Sequence, residues 1–144
     1  DSRVSRGLGD VYKRQEYIST FKLVGDFTLS DRINSSLHFT YNNYENIEVF
    51  IPIYESGLSS TYKKDKFKIQ LGLDMLFENH GLNFSNETFK MNNIINLNLS
   101  SSYELNDNIN IHLNIDNMLN NYNELFFMYP KLGANVMSGL TWKF

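Results

Sequence analysis

From Tyr17 the chain alternates between apolar and polar positions. The odd positions Phe21, Leu23, Phe27 and Leu29 are apolar, with Gly25 small, while the even ones include Lys22, Asp26 and Thr28. A period of two is the mark of a strand with one apolar and one polar face. Ser30, Asp31 and Arg32 supply a tight polar turn, and Ile33, Leu37, Phe39 and Tyr41 then oppose Asn34, Ser36, His38 and Thr40, which predicts a hairpin. The alternation is clearest at Phe67, Ile69, Leu71, Leu73, Met75 and Phe77 against Lys68, Gln70, Gly72 and Asp74. It returns at Ile95, Leu97, Leu99 and Tyr103, and again at Ile109, Ile111, Leu113 and Ile115. The chain closes on NVMSGLTWKF, where Val136, Leu140, Trp142 and Phe144 share one parity, Ser138 being its weak member, and Asn135, Thr141 and Lys143 share the other.

Between these runs the pattern is less regular. Ile47, Val49, Ile51 and Ile53 read as an extension of the second strand, which Pro52 restricts to an edge or an irregular stretch. Gly57 to Asp65 reads as a polar, charged loop, Glu78 to Gly81 as a short turn and Asn92–Asn93 as another. Leu82 to Met91 reads as a strand containing a bulge, because Leu82 and Phe84 have one parity and Phe89 and Met91 the other. Leu105 to Asn108 is a turn, and Asn117 to Ala134 a longer connection into the final strand. The sum is about seven strands, most of them about ten residues long, which is the length a tilted membrane strand needs and longer than the usual soluble strand.

Charge placement points the same way. In the five clearest strands the apolar parity is free of charge, while Lys22, Asp26, Lys68, Asp74, Asp116 and Lys143 all take the other parity. A lysine or arginine facing lipid near the midplane costs about 2 to 4 kcal/mol, so this segregation suits hydrocarbon on one side and water on the other. The expected fold is therefore all-β: an antiparallel transmembrane β-barrel fragment of about seven meandering strands forming an open curved sheet. An odd strand count does not close an ordinary bacterial single-chain barrel. With Phe144 at the periplasmic edge, the turns at Ser30–Arg32, Glu78–Gly81 and Leu105–Asn108 fall on the periplasmic side. Phe27, Phe77, Tyr103, Trp142 and Phe144 would then form the lower aromatic girdle.

Composition removes several other classes. The 144 residues carry a formal net charge of -3, so there is no basic stripe for nucleic acid. No apolar run approaches the roughly 18 residues of a membrane helix, but strands hide their hydrophobicity in alternate positions. There is no cysteine, hence no disulfide frame or thiol chemistry. Residues 1–15, DSRVSRGLGDVYKRQ, have neither period and no apolar signal-peptide core. They resemble translated adapter sequence, and the reading treats them as a non-native or disordered lead before a barrel portion at 16–144.

Three pieces near the end, NINIHLNIDNMLNNYNE, then Tyr129–Pro130, then GANVMSGLTWKF, resemble the close of TonB-dependent receptors, in particular those of the Bacteroidota. Asp116 to Tyr122 is similar to that family's asparagine-hydrophobic-asparagine-tyrosine element. Many members carry Pro-Gly-Arg before the last strand, where this chain has Leu132, Gly133 and Ala134. The resemblance implies energised uptake across the bacterial cell outer membrane of an iron chelate, a vitamin or a glycan. It further implies that Leu140, Trp142 and Phe144 serve as assembly signal and interfacial girdle, read by the barrel-assembly machinery and bordering outer-membrane lipid. Coupling to the TonB complex would run through an N-terminal plug that these residues do not include.

No catalytic or cofactor constellation stands out, and the reading is not an enzyme. His38, His80 and His112 lack metal-ligand spacing, and neither Asp107–Asn110 nor Asp116–Asn121 has the spacing of a calcium loop. Asn34, Asn86 and Asn98 fit a glycosylation pattern, which strand placement of two of them discounts. Tyr122, Phe126, Phe127 and Tyr129 concentrate aromatics on the outer side, either as a loop that contacts a small-molecule or glycan ligand or, the favoured reading, as an extended hairpin packing on itself. Two other architectures compete: a complete eight-stranded outer-membrane barrel with a structural or adhesive role, its extra strand drawn from Ile47–Ile53, and a soluble carbohydrate-binding β-sandwich.

Overall fold

The structure, a computed structural model, describes residues 18–44 and 51–144. The adapter-like lead and most of the Ile47–Ile53 run lie outside them. The fold is all-β with antiparallel pairing. Seven strands form one sheet in the order β1-β2-β3-β4-β7-β8-β11: β1 (Ile18–Ser30), β2 (Ile33–Tyr44), β3 (Tyr54–Lys64), β4 (Phe67–Phe77), β7 (Ile94–Asn106), β8 (Ile109–Asp116) and β11 (Asn135–Trp142). Two small hairpins decorate one end, β5 (His80–Leu82) with β6 (Thr88–Lys90), and β9 (Glu124–Phe126) with β10 (Tyr129–Pro130). β1 and β11 are not paired with each other, so there is no closed barrel.

Two sequence expectations are corrected, and their effects on the strand count cancel. Gly57–Asp65 is not a loop: it belongs largely to β3, which pairs along its length with β2 and β4. Its outward row reads Tyr54, Ser56, Leu58, Ser60, Tyr62, so two serines interrupt the apolar alternation. Ser60 accepts a hydrogen bond from the Ser35 hydroxyl at 2.9 Å, which satisfies both polar groups on that face. Conversely, Leu82–Met91 is not one bulged strand. The Asn83 carboxamide oxygen accepts the N–H groups of Ser85 and Glu87, both at 2.9 Å, and Asn86 adopts φ 58°, so a turn splits the run into β5 and β6. The parity switch between Phe84 and Phe89 is that turn.

A third correction follows from the other two. The short connections Asp31–Arg32, Asp65–Lys66 and Asp107–Asn108 share one end of the sheet with Phe144, and Tyr44, Tyr54 and the longer connections 78–93 and 117–134 share the other. Glu78–Gly81 therefore sits among the long connections, and Phe77 leaves the expected lower girdle. It joins a row of four aromatics in register across β1 to β4, Phe21, Tyr41, Tyr54 and Phe77. Tyr41 and Tyr54 stack at 5.3 Å between ring centroids. At the short-turn end Tyr62, Phe67, Tyr103 and Trp142 lie on the same face.

That face carries the apolar parity of every strand, and no other strand packs over it among the described residues. Leu71, Leu97, Leu113 and Leu140 all lie on it; Leu71 is 44% exposed and Leu140 61%, while the other two are half-buried between neighbours. The opposite face is polar and concave, since a single hollow of about 410 Å³ is lined from six strands. Of the charges within the seven strands, Lys22, Asp26, Glu55, Lys63, Lys68, Asp74, Glu104 and Asp116 point to the polar side; only Lys64, at the turn end of β3, takes the apolar parity. The buried apolar residues, Met91 and Ile94, are at the long-connection end.

Candidate functional site

The polar face is built from amides, hydroxyls and small residues. His38 of β2 lies over Gly57 of β3, and His112 of β8 over Gly139 of β11; a Cβ at either glycine would collide with the ring. Both glycines thus make room for a cross-strand imidazole. Neighbouring polar side chains join across the strands: Gln70 donates to Ser59 at 3.0 Å, Thr28 to Asn34 at 2.9 Å and Thr20 to Asn42 at 2.8 Å. The three histidines remain apart, and among the described residues no three His, Asp or Glu side chains converge as metal ligands.

At the long-connection end, asparagines organise the backbone. Asn117 is 5% exposed, with φ 50°, a left-handed conformation that asparagine tolerates better than most residues. Its carboxamide donates to the carbonyls of Asn121 and Leu132, at 2.9 and 3.2 Å, and accepts the Asn121 N–H at 3.1 Å. Its own N–H donates to the Asn98 side chain at 3.1 Å, and Asn121 donates to the Ile95 carbonyl at 3.0 Å. Asn120, also left-handed, accepts the Ala134 N–H at 2.9 Å. The element that resembles a receptor motif is therefore a turn tied to β7 by its own side chains. Its spacing lacked a calcium pattern, and the bonds explain why asparagine recurs there.

The candidate aromatics of this end divide. Phe127 packs edge-on against Phe84 at 5.3 Å and Phe89 at 5.1 Å, clasping β5–β6 to β9–β10. Tyr122, Phe126 and Tyr129 stay exposed, and Tyr122 donates to Glu124 at 2.9 Å. That hydrogen bond, followed by desolvation and the carboxylate's charge, holds the Tyr122 phenol above its ordinary value of 10.0. At the other end Leu140 and Trp142 stand exposed on β11, and Trp142 meets Phe144 edge-on at 6.5 Å.

Sequence reasoning missed a further hollow of about 340 Å³ between the ends of β7 and β8 and the 117–134 connection, whose lining includes Asn96, Asn98, Asp116, Asn117, Asn123 and Lys131. Only the density of asparagine hinted at it. No protein-family model matches this chain, and a search of curated proteins returns no match.

Proposed function

We propose that this chain is part of an outer-membrane transport β-barrel, the C-terminal barrel segment of a TonB-dependent receptor, with no catalytic role of its own. The observation that carries the reading is the apolar face, which runs the length of seven strands with no other strand packed over it among the described residues. Water would meet that face at a steep cost, since each Å² of apolar surface held in water forgoes about 25 cal/mol. Lipid removes the cost. The ten peptide steps from Phe67 to Phe77 span about 33 Å at the usual rise, and a strand tilted by roughly 40° converts that to about 25 Å of height, the thickness of the apolar band in outer-membrane barrels. Aromatic rows bound that band on both sides, and short turns face long connections, which is the asymmetry of the class.

β1 and β11 run in the same direction, because seven antiparallel strands separate them inclusively. Closure by antiparallel pairing then needs an odd number of further strands, which fits a larger barrel of even strand number. In that barrel the polar face lines the lumen, Leu140, Trp142 and Phe144 border lipid at the periplasmic edge, and the exposed Tyr122, Phe126 and Tyr129 reach outward. The testing experiment is transfer of the folded chain from detergent to lipid vesicles. The fluorescence of Trp142, the single tryptophan, is expected to shift to the blue as its ring enters the interface. A soluble, monodisperse chain that ignores vesicles overturns the reading.

A further inference from the structure

We propose, resting on the transport reading above, that the outward rim of the β3–β4 hairpin is a binding site for the headgroup of an anionic phospholipid. Cations gather at this corner of the sheet. The Lys63 N–H donates to the Arg32 carbonyl at 2.8 Å, which draws the β1–β2 turn alongside β3, and Lys63, Lys64, Lys66 and Lys68 follow one another within a single hairpin. All five are exposed. Lys63 and Lys68 are direct cross-strand partners on the concave side, and like charges so placed repel. Among the described residues the one ion pair joins Lys90 to Glu78 at the far end of the sheet, so Asp31 and Asp65, which share the two turns, pair with none of the five. Lys66 donates to the Leu105 carbonyl at 3.5 Å, and the other four side chains make no hydrogen bond among the described residues. A chain with a formal net charge of -3 thus concentrates an uncompensated positive field on one hairpin.

Position selects the occupant. Lys64 is the strand charge that takes the apolar parity, its cross-strand partner is Phe67, and Tyr62 lies two residues back on the same face. Those rings belong to the aromatic row at the short-turn end. With lipid against the apolar face, the Lys64 ammonium stands at headgroup depth, where an outward lysine costs least and its methylene stem lets it reach for phosphate. Arg32 and Lys66 lie in the two turns just beyond the same edge. Lys63 and Lys68 add to the field from the concave side, within about a Debye length. Ammonium and guanidinium groups both donate to phosphate oxygens, so a phosphate diester fits the set. A zwitterionic headgroup carries its own ammonium, which competes for that phosphate; an anionic one does not.

The test uses the whole chain in lipid vesicles, with the tryptophan moved into the hairpin by Trp142→Phe and Phe67→Trp. Phosphatidylglycerol brominated near the headgroup end of its acyl chains, mixed with phosphatidylcholine, is expected to quench that tryptophan as a lipid preferred about tenfold over phosphatidylcholine, and the preference is expected to shrink in about 1 M salt. A cation near an anionic surface is worth about a fivefold gain in binding, so Lys64→Gln and Lys66→Gln are each expected to lower the preference by about that factor, and the double variant to abolish it. Lys90→Gln and Lys131→Gln, at the far end, are expected to leave it unchanged. Should a hairpin variant fail to fold, the salt dependence of the chain with all its lysines is read in its place. The proposal is overturned if phosphatidylglycerol is not preferred, if the preference is indifferent to salt, if it survives Lys64→Gln, or if Lys90→Gln lowers it as much. Quenching by brominated phosphatidylcholine is read separately: its absence removes the transport reading, whereas its presence with no preference for phosphatidylglycerol removes this inference alone.

Discussion

At the scale of single residues, asparagine does two kinds of work that composition cannot tell apart. On the strands it supplies the polar parity, which alternation made visible. In the 117–134 connection it replaces regular backbone pairing, and there the partners of Asn117 and Asn121 include Leu132 and Ile95, far away in the chain. A reading by local spacing sees only an amide-rich stretch. Asn117→Ala removes three side-chain bonds and puts a Cβ-bearing residue without a compensating amide at φ 50°, so a loss of about 3 kcal/mol is expected. Asn117→Gly relieves the backbone but not the bonds and is expected to cost about 2 kcal/mol; urea unfolding of both variants measures the difference. Tyr122 offers a pH test at the same end. Its phenol is held above 10.0 in the folded chain, so the hydrogen bond to Glu124 contributes fully below pH 10 and is lost as pH rises through the higher folded value. Tyr122→Phe is expected to remove a late-ionising component from the spectroscopic titration near 295 nm.

At the scale of elements, legibility tracked how completely a strand sorts its side chains. β4 and β7 were plain because their outward rows are almost wholly apolar, and the turns between strands were plain where Asp and Asn cluster. β3 was hidden because Ser56 and Ser60 break its outward row and three lysines follow closely, and its stability comes from neighbours on both sides that no local window contains. The same sorting gives a test that separates lipid from water. Leu71 and Gln70 are adjacent on β4 and face opposite ways. In a membrane Leu71→Lys is expected to cost about 2 to 4 kcal/mol in vesicle-based unfolding, while Gln70→Lys changes stability by less than about 1 kcal/mol. Since Leu71 is already 44% exposed, a sheet bathed in water would accept lysine at either position with little change.

At the scale of the whole molecule, the sequence reading reached the strand number and the single-layer sheet but misassigned one end of β4, because a missed β3 and a spurious strand at Leu82–Met91 compensated in the count. Direction, unlike number, does not survive such compensation: exchanging one strand for another reverses which end of the sheet the intervening turn occupies. The absence of cysteine makes this directly measurable. With single cysteines placed at Lys66, Ser85 and Met128 of the vesicle-inserted chain, a membrane-impermeant maleimide is expected to label Ser85→Cys and Met128→Cys from one side and Lys66→Cys only after the vesicles are opened, or the reverse for the opposite insertion. The topology here groups position 85 with 128, since Phe84 and Phe127 meet at 5.3 Å. Had Glu78–Gly81 been a short turn between two spanning strands, the second of them Leu82–Met91, Asn79→Cys would be labelled from the side opposite Met128→Cys. Labelling of Asn79→Cys with Ser85→Cys is the outcome that fixes β3 and β4 as consecutive spanning strands and the whole 78–93 segment as one outer connection.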